Sequence, residues 1–171
     1  LQAVRKSRRC EAGQGWAWDG VRFDVLHPAP GDYGDARKPN ALSCVLRISN
    51  GRRTALLAGD IEQAQEARLA QVAPPHSALR ADLLLVPHHG SKTSSSEAFL
   101  EAVGPPLAIV QAGYRNRFGH PAAPVLDRYR QRGVTVIDSP RCGAAQWRSA
   151  DPARVACHRE AAPRYWHHRI P

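Results

Sequence analysis

Three short stretches of the 171-residue chain carry side chains able to do chemistry: Gly59-Asp60, His88-His89-Gly90-Ser91-Lys92-Thr93 and Asn116-Arg117-Phe118-Gly119-His120. Imidazole nitrogen and carboxylate oxygen are donors chosen by zinc, manganese and similar divalent cations. Asp60, His88 and His89 are therefore the candidate metal ligands, for one ion or, with Asp60 bridging, two. Adjacent histidines on an extended backbone point to opposite sides, so only one of His88 and His89 faces a given ion unless the chain bends there. The other is left to orient a ligand or meet the substrate. His89 and His120 are accordingly the candidates for catalytic work such as proton transfer. Ser91, Lys92, Asn116 and Arg117 are the candidate substrate-binding residues, offering hydrogen bonds and positive charge to an anionic group. Each feature has a plainer alternative. A Gly-Asp after a strand commonly caps a helix, and a basic run such as Lys92, Arg115 and Arg117 is commonly a solvated face. Lone histidines such as His27 and His76, or the terminal His167-His168, are commonly core or surface.

The patterns between these stretches say how they meet. An apolar strand from Thr54 to Ala58 ends at Gly59-Asp60, one from Ala81 to Pro87 ends at His88, and one from Leu107 to Gln111 precedes Asn116. Helices are expected over Ile61 to Val72, capped by Asp60 with Glu62 in its first turn and stopped by Pro74-Pro75, then over Ser94 to Val103 and over Pro121 to Arg132. A strand from Val134 to Asp138 follows. Helical crossovers make neighbouring strands parallel, so their C-terminal ends collect along one edge, where open α/β sheets place their sites. Upstream, Trp16 to His27 alternates as two strands turning at Asp19-Gly20, and Pro28 to Asn40 has loop composition. Ala41 to Ser49 is expected to pair with Thr54 to Ala58 around a two-residue Asn50-Gly51 turn. Two short strands, Ala144 to Arg148 and Arg154 to His158, close the pattern. Residues 1–15 read as an irregular lead-in, 16–158 as the folded domain and 159–171 as a basic tail.

Lysine plus arginine number 24 against 15 acids, a formal charge of +9. Such a surface attracts anions, nucleic acid or an anionic membrane face first among them. With 43% hydrophobic and 23% charged residues the chain is neither a disordered tail nor a membrane span, and no apolar run approaches the roughly 20 residues a bilayer requires. Cys10, Cys44, Cys142 and Cys157 contain no Cys-x-x-Cys pair, which excludes a zinc ribbon and a thioredoxin-like motif. Buried thiols are their plainer reading, and disulfides the reading for an oxidising compartment. The chain starts at Leu1, lacks methionine and shows no basic-then-apolar leader, so it is read as part of something longer.

Four segments in order, Asn40-Ala-Leu-Ser43-Cys-Val-Leu, Leu56-Leu-Ala-Gly-Asp60-Ile-Glu62, Ala81-Asp-Leu-Leu-Leu-Val-Pro-His-His-Gly-Ser-Lys-Thr-Ser94 and Asn116-Arg-Phe-Gly-His-Pro121, resemble the C-terminal metallo-β-lactamase-like domain of the ComEC competence proteins, the membrane channels of DNA uptake. The resemblance spans Val21 to Gly143. It implies an α/β fold of the αββα sandwich type, here its C-terminal half, as a mixed sheet with flanking helices. It also implies a site for one or two zinc or manganese ions, Asp60 in the position of the bridging aspartate, and one of His88 and His89 in that of the last ligand. The implied activity is a metal-dependent nuclease on the DNA strand that is not imported. The implied setting is a bacterial, membrane-tethered domain on the extracytoplasmic side, with DNA and the channel domain of the same protein as partners. A non-catalytic DNA-guiding module, or a metallo-hydrolase of a small ester or phosphodiester, are the alternatives. The family's early His-x-[His/Asp]-x-Asp-His cluster has no counterpart in these 171 residues. It is expected upstream of Leu1, which leaves the ligand set incomplete and a sheet face open to self-association.

Overall fold

The computed structural model describes residues 8–34, 38–72 and 79–165. Pro74-Pro75, His76, His167 and His168 lie outside them. Seven strands form one sheet in sequence order: β1 (Gly15–Trp18), β2 (Val21–His27), β3 (Val45–Ser49), β4 (Thr54–Leu57), β5 (Leu83–Leu85), β6 (Leu107–Val110) and β7 (Thr135–Asp138). Neighbours from β1 to β4 are antiparallel and those from β4 to β7 are parallel. The parallel half holds the helical crossovers, α1 (Gln63–Val72), α2 (Glu97–Val103) and α3 (Ala123–Gln131), as the strand-helix rhythm requires. A separate hairpin, β8 (Ala145–Arg148) with β9 (Asp151–Cys157), is flanked by two four-residue helical turns that the sequence reading lacked, α4 (Ser139–Cys142) and α5 (His158–Ala161).

Register explains the layering. Leu56, Leu84, Ala108 and Val136 are cross-strand partners on one face, and the first three are wholly buried. Ile61, Phe99, Val125 and Tyr129 complete the core cluster on that face. On the other face Leu46, Leu57, Leu85 and Ile137 are only partly buried. This mixed sheet with flanking helices is consistent with an αββα sandwich.

Several boundaries shift for physical reasons. The strand expected from Ala41 begins at Val45, because Pro39–Leu42 forms a 3-10 turn whose Ala41 carbonyl meets His27 Nε2 at 2.9 Å. The β3–β4 connection spans four residues, not two. Asn50 Oδ1 accepts from the amides of Arg52 and Arg53, and Gly51 alone in that turn has positive φ. The cysteines are paired rather than free: Cys10 with Cys44, which ties the lead-in to the strand β3 approach, and Cys142 with Cys157, which ties α4 to β9. Helix α1 begins two residues later than expected, with Glu62 at its cap. The Glu62 carbonyl accepts from the Gln65 and Glu66 amides while Gln65 Oε1 accepts from Glu62 N–H. Asp60 is thereby left outside the helix.

The fully buried Glu66 is the largest departure from simple patterning. Its carboxylate accepts from Ser95 N–H at 2.5 Å and Ser96 N–H at 2.7 Å. Arg128 of α3 donates to the carbonyls of Ser94 and Ser95, and Tyr129 meets the Ser95 hydroxyl at 3.1 Å. Burial pushes the Glu66 carboxyl above its usual range, against the pull of those amides and Arg128. Helices α1 and α3 thus grip the loop that follows His88-His89 where it enters α2.

Candidate functional site

The expected convergence occurs at the C-terminal edge of β4, β5 and β6. Gly59 has φ +57, and a Cβ there would lie 3.0 Å from the Cys44 carbonyl, so glycine lets the chain leave β4 close against the β3 approach. After β5 the chain bends sharply: His88 (φ 48), His89 (φ 55) and Gly90 (φ 79) are all left-handed. That bend removes the opposite-sides constraint of extended backbone. Both imidazoles lie on the same rim, centroids 6.5 Å apart, and the His120 ring is 5.9 Å from that of His88. Gly90 is required for contact as well as for φ. A Cβ at this position would sit 2.7 Å from Pro121 Cβ, and the Gly90 carbonyl accepts from Ala122 N–H at 2.9 Å.

The two histidines have different partners. His88 Nε2 accepts from Asn40 Nδ2 at 3.2 Å, and its Nδ1 faces Glu62 Oε1 at 3.3 Å and Thr93 Oγ1 at 3.4 Å. Both of its nitrogens are engaged. His89 Nδ1 donates to the Gln111 carbonyl at 2.6 Å, which fixes the tautomer and leaves the Nε2 lone pair 3.5 Å from Asp60 Oδ1. Two acceptors face each other across that gap, an arrangement that a cation or a proton satisfies. Imidazole and carboxylate fit a divalent ion chemically, and a backbone carbonyl on the far ring nitrogen is the usual support for a metal-binding histidine. Asp60 and His89 are only two donors, and among the described residues no group of three or more His, Cys, Asp and Glu is arranged to hold a metal.

The remaining candidates divide. Ser91 is buried, its hydroxyl 3.2 Å from Thr93 Oγ1, and serves the loop. Lys92 is exposed beside it. Asn116 is saturated within its own loop: Oδ1 accepts from the amides of Phe118 and His120, and Nδ2 donates to the carbonyls of Gly113 and His120. Arg117 lies over the Phe118 ring, 4.8 Å from its centroid. Partial burial, and then the charges of His88 and His89, hold the His120 imidazole below its ordinary value, so its neutral form is favoured. A cavity of about 440 Å³ opens between His89, Gln111, Asn116, Phe118, His120 and Ser139. The sequence reading missed the roles of Asn40 and Glu62. Asn40 reaches the rim only because the 3-10 turn shortens β3, and Glu62 was legible merely as an acid at a helix start.

No protein-family model matches the chain. Curated relatives do, among them Competence protein ComA of Neisseria gonorrhoeae, 38% identical over 141 residues; Recombination protein 2 of Haemophilus influenzae, 37% over 119; and ComE operon protein 3 of Bacillus subtilis, 36% over 128. The matches take in 82%, 70% and 75% of this chain. The chain belongs to the ComEC family. It spans 20%, 14% and 16% of the lengths of these relatives, so it corresponds to a minor part of a ComEC protein. Among the described residues no helix is long and apolar enough to cross a membrane.

Proposed function

We propose that this ComEC-family chain is part of a metal-dependent phosphodiesterase of DNA uptake, acting on the strand left outside the cell. The observation that carries the reading is the His89 Nε2 lone pair facing Asp60 Oδ1 at 3.5 Å, with His89 Nδ1 anchored on the Gln111 carbonyl. Asp60 and His89 would hold one divalent ion, zinc or manganese, with further ligands from outside this chain. A bound ion there would supply Lewis-acid activation of water and of a phosphoryl oxygen. His88, clamped by Asn40, Glu62 and Thr93, shapes the rim rather than offering a free nitrogen. His120, held toward neutrality, can accept a proton at the attacking side or return one to the leaving oxygen. Lys92 and Arg117 are exposed cations for the phosphate backbone, in keeping with the net charge of +9. The competence and recombination names of the relatives support DNA as substrate and a membrane channel as partner.

Asp60→Ala, introduced into the longer protein that carries this chain, should lower manganese- or zinc-dependent cleavage of single-stranded DNA by more than about 100-fold, beyond the usual loss for outer-shell partners. Unchanged cleavage refutes the assignment. The incomplete donor set favours one second reading, a non-catalytic DNA-guiding module on the same channel. Salt-dependent DNA binding that survives chelation, with no hydrolysis in any metal, would select it.

A further inference from the structure

We propose that Phe118 is a stacking platform for an unpaired nucleobase, which makes the cavity beside His89 and His120 a subsite for single-stranded DNA. Phe118 leaves 66% of its surface open, and its ring is nearly parallel to His120, centroids 5.7 Å apart at 26°. Its loop is not a loose tip. Asn116 spends its side chain on four hydrogen bonds that fix the backbone on both sides of Phe118, so the ring is presented at a set position. A large apolar side chain held in solvent by such a device gains nothing for folding and loses contact with water only when something covers it. What covers it is indicated by its surroundings. Arg117 sits 4.8 Å from the ring centroid, Arg115 lies over Tyr114 at 5.2 Å, and the cavity of about 440 Å³ is in the range that holds small planar ligands. An aromatic ring with a guanidinium over its face matches a base flanked by phosphates, the guanidinium turning to a phosphate as the base takes its place on the ring. In a duplex each base face is already covered by its neighbours, so the platform selects unpaired bases.

The inference rests on the reading of this rim as a phosphodiester site, and its test avoids hydrolysis. The intact chain, in excess chelator, is titrated into a single-stranded oligonucleotide bearing one 2-aminopurine, whose fluorescence falls on stacking. The wild type and Phe118→Trp should quench it. Phe118→Ala should bind about tenfold more weakly, with an unchanged melting temperature because the residue is exposed. An oligonucleotide with several consecutive abasic positions should bind the wild type and Phe118→Ala equally. Equal affinity of wild type and Phe118→Ala for the intact strand, no quenching by the wild type, or a duplex bound as tightly as the single strand would each overturn the platform. Quenching of a free 2-aminopurine nucleotide at the same concentration would overturn the strand and leave a mononucleotide as the ligand. Intact quenching without metal-dependent cleavage would overturn only the hydrolase reading.

Discussion

The two edges of the parallel half-sheet are built from the same strands and helices yet differ in backbone and in polar content. At the C-terminal edge, left-handed backbone falls on Gly59, Gly90 and Gly119 and also on His88, His89 and Arg115, side chains that resist it at a cost of order 1–3 kcal/mol each. At the opposite edge it falls on Gly51, Gly104 and Gly133. The opposite edge holds the larger cavity, about 700 Å³, but its walls are Leu100, Gly104, Pro105, Pro106, Gly133 and Val134 with Glu101, Gln131 and Arg132 at the rim. No imidazole lines it. Cavity size therefore does not track the gathering of imidazoles in this fold; the strained non-glycine turns do.

The comparison breaks most visibly at glycine. Gly90→Ala puts a Cβ 2.7 Å from Pro121 Cβ at φ +79, whereas Gly51→Ala at φ +80 meets nothing within 4 Å. The second should cost about 1 kcal/mol from left-handed backbone alone. The first should cost about 3 kcal/mol or more, since overpacking adds to the same strain. Thermal melts of the two variants measure the difference, and equal costs would show that the Gly90 approach to Pro121 is not what fixes the histidine rim.

The next effect concerns how the rim is held from behind. Glu66→Gln replaces one of two acceptors by a donor facing a backbone N–H, at Ser95 or Ser96. Leaving a buried donor unmatched costs about 1–3 kcal/mol. Glu66→Gln should lower the denaturant midpoint accordingly with an unchanged slope, and faster amide exchange at Ser95 and Ser96 should accompany it.

Legibility follows the same division. The parallel strands, their crossovers and the edge where Asp60, His89 and His120 gather could be read from apolar runs of three or four residues ending in polar ones, because period and chain direction are local properties. The Asp19-Gly20 hairpin was legible for the same reason. The His88-His89 bend was not, because positive φ at two consecutive histidines contradicts local preference and accompanies contacts to Asn40, Glu62 and Gln111, which lie far away in the sequence. Asn40 at the rim and the two disulfides were hidden because each depends on contacts between segments apart in the sequence. Buried Glu66 was hidden by its type, since an acid in an amphipathic helix ordinarily marks the solvent face.

At the opposite edge the polar contact is simpler, and its smaller effect sharpens the contrast. Arg53 Nη1 donates to Asp82 Oδ1 at 2.7 Å and Thr54 N–H donates to Oδ2 at 2.8 Å, which seats the start of β4 against the approach to β5. Burial of Asp82 works to raise its carboxyl, but the Arg53 guanidinium and Thr54 amide outweigh it and hold the group below the usual carboxylate range. A depressed folded value means that this contribution is fully present above the ordinary carboxylate value and is lost as pH falls through the folded one. Asp82→Asn should therefore cost less than about 1 kcal/mol at neutral pH, because the Arg53 side chain is 43% exposed and the pair is screened. The penalty should shrink as pH falls below the ordinary carboxylate value of about 4 and vanish once pH passes below the lowered folded value, where the wild type itself is protonated. Melting temperatures of the two proteins that stay equally far apart down to pH 2 would mean that Asp82 acts by shape and not by charge.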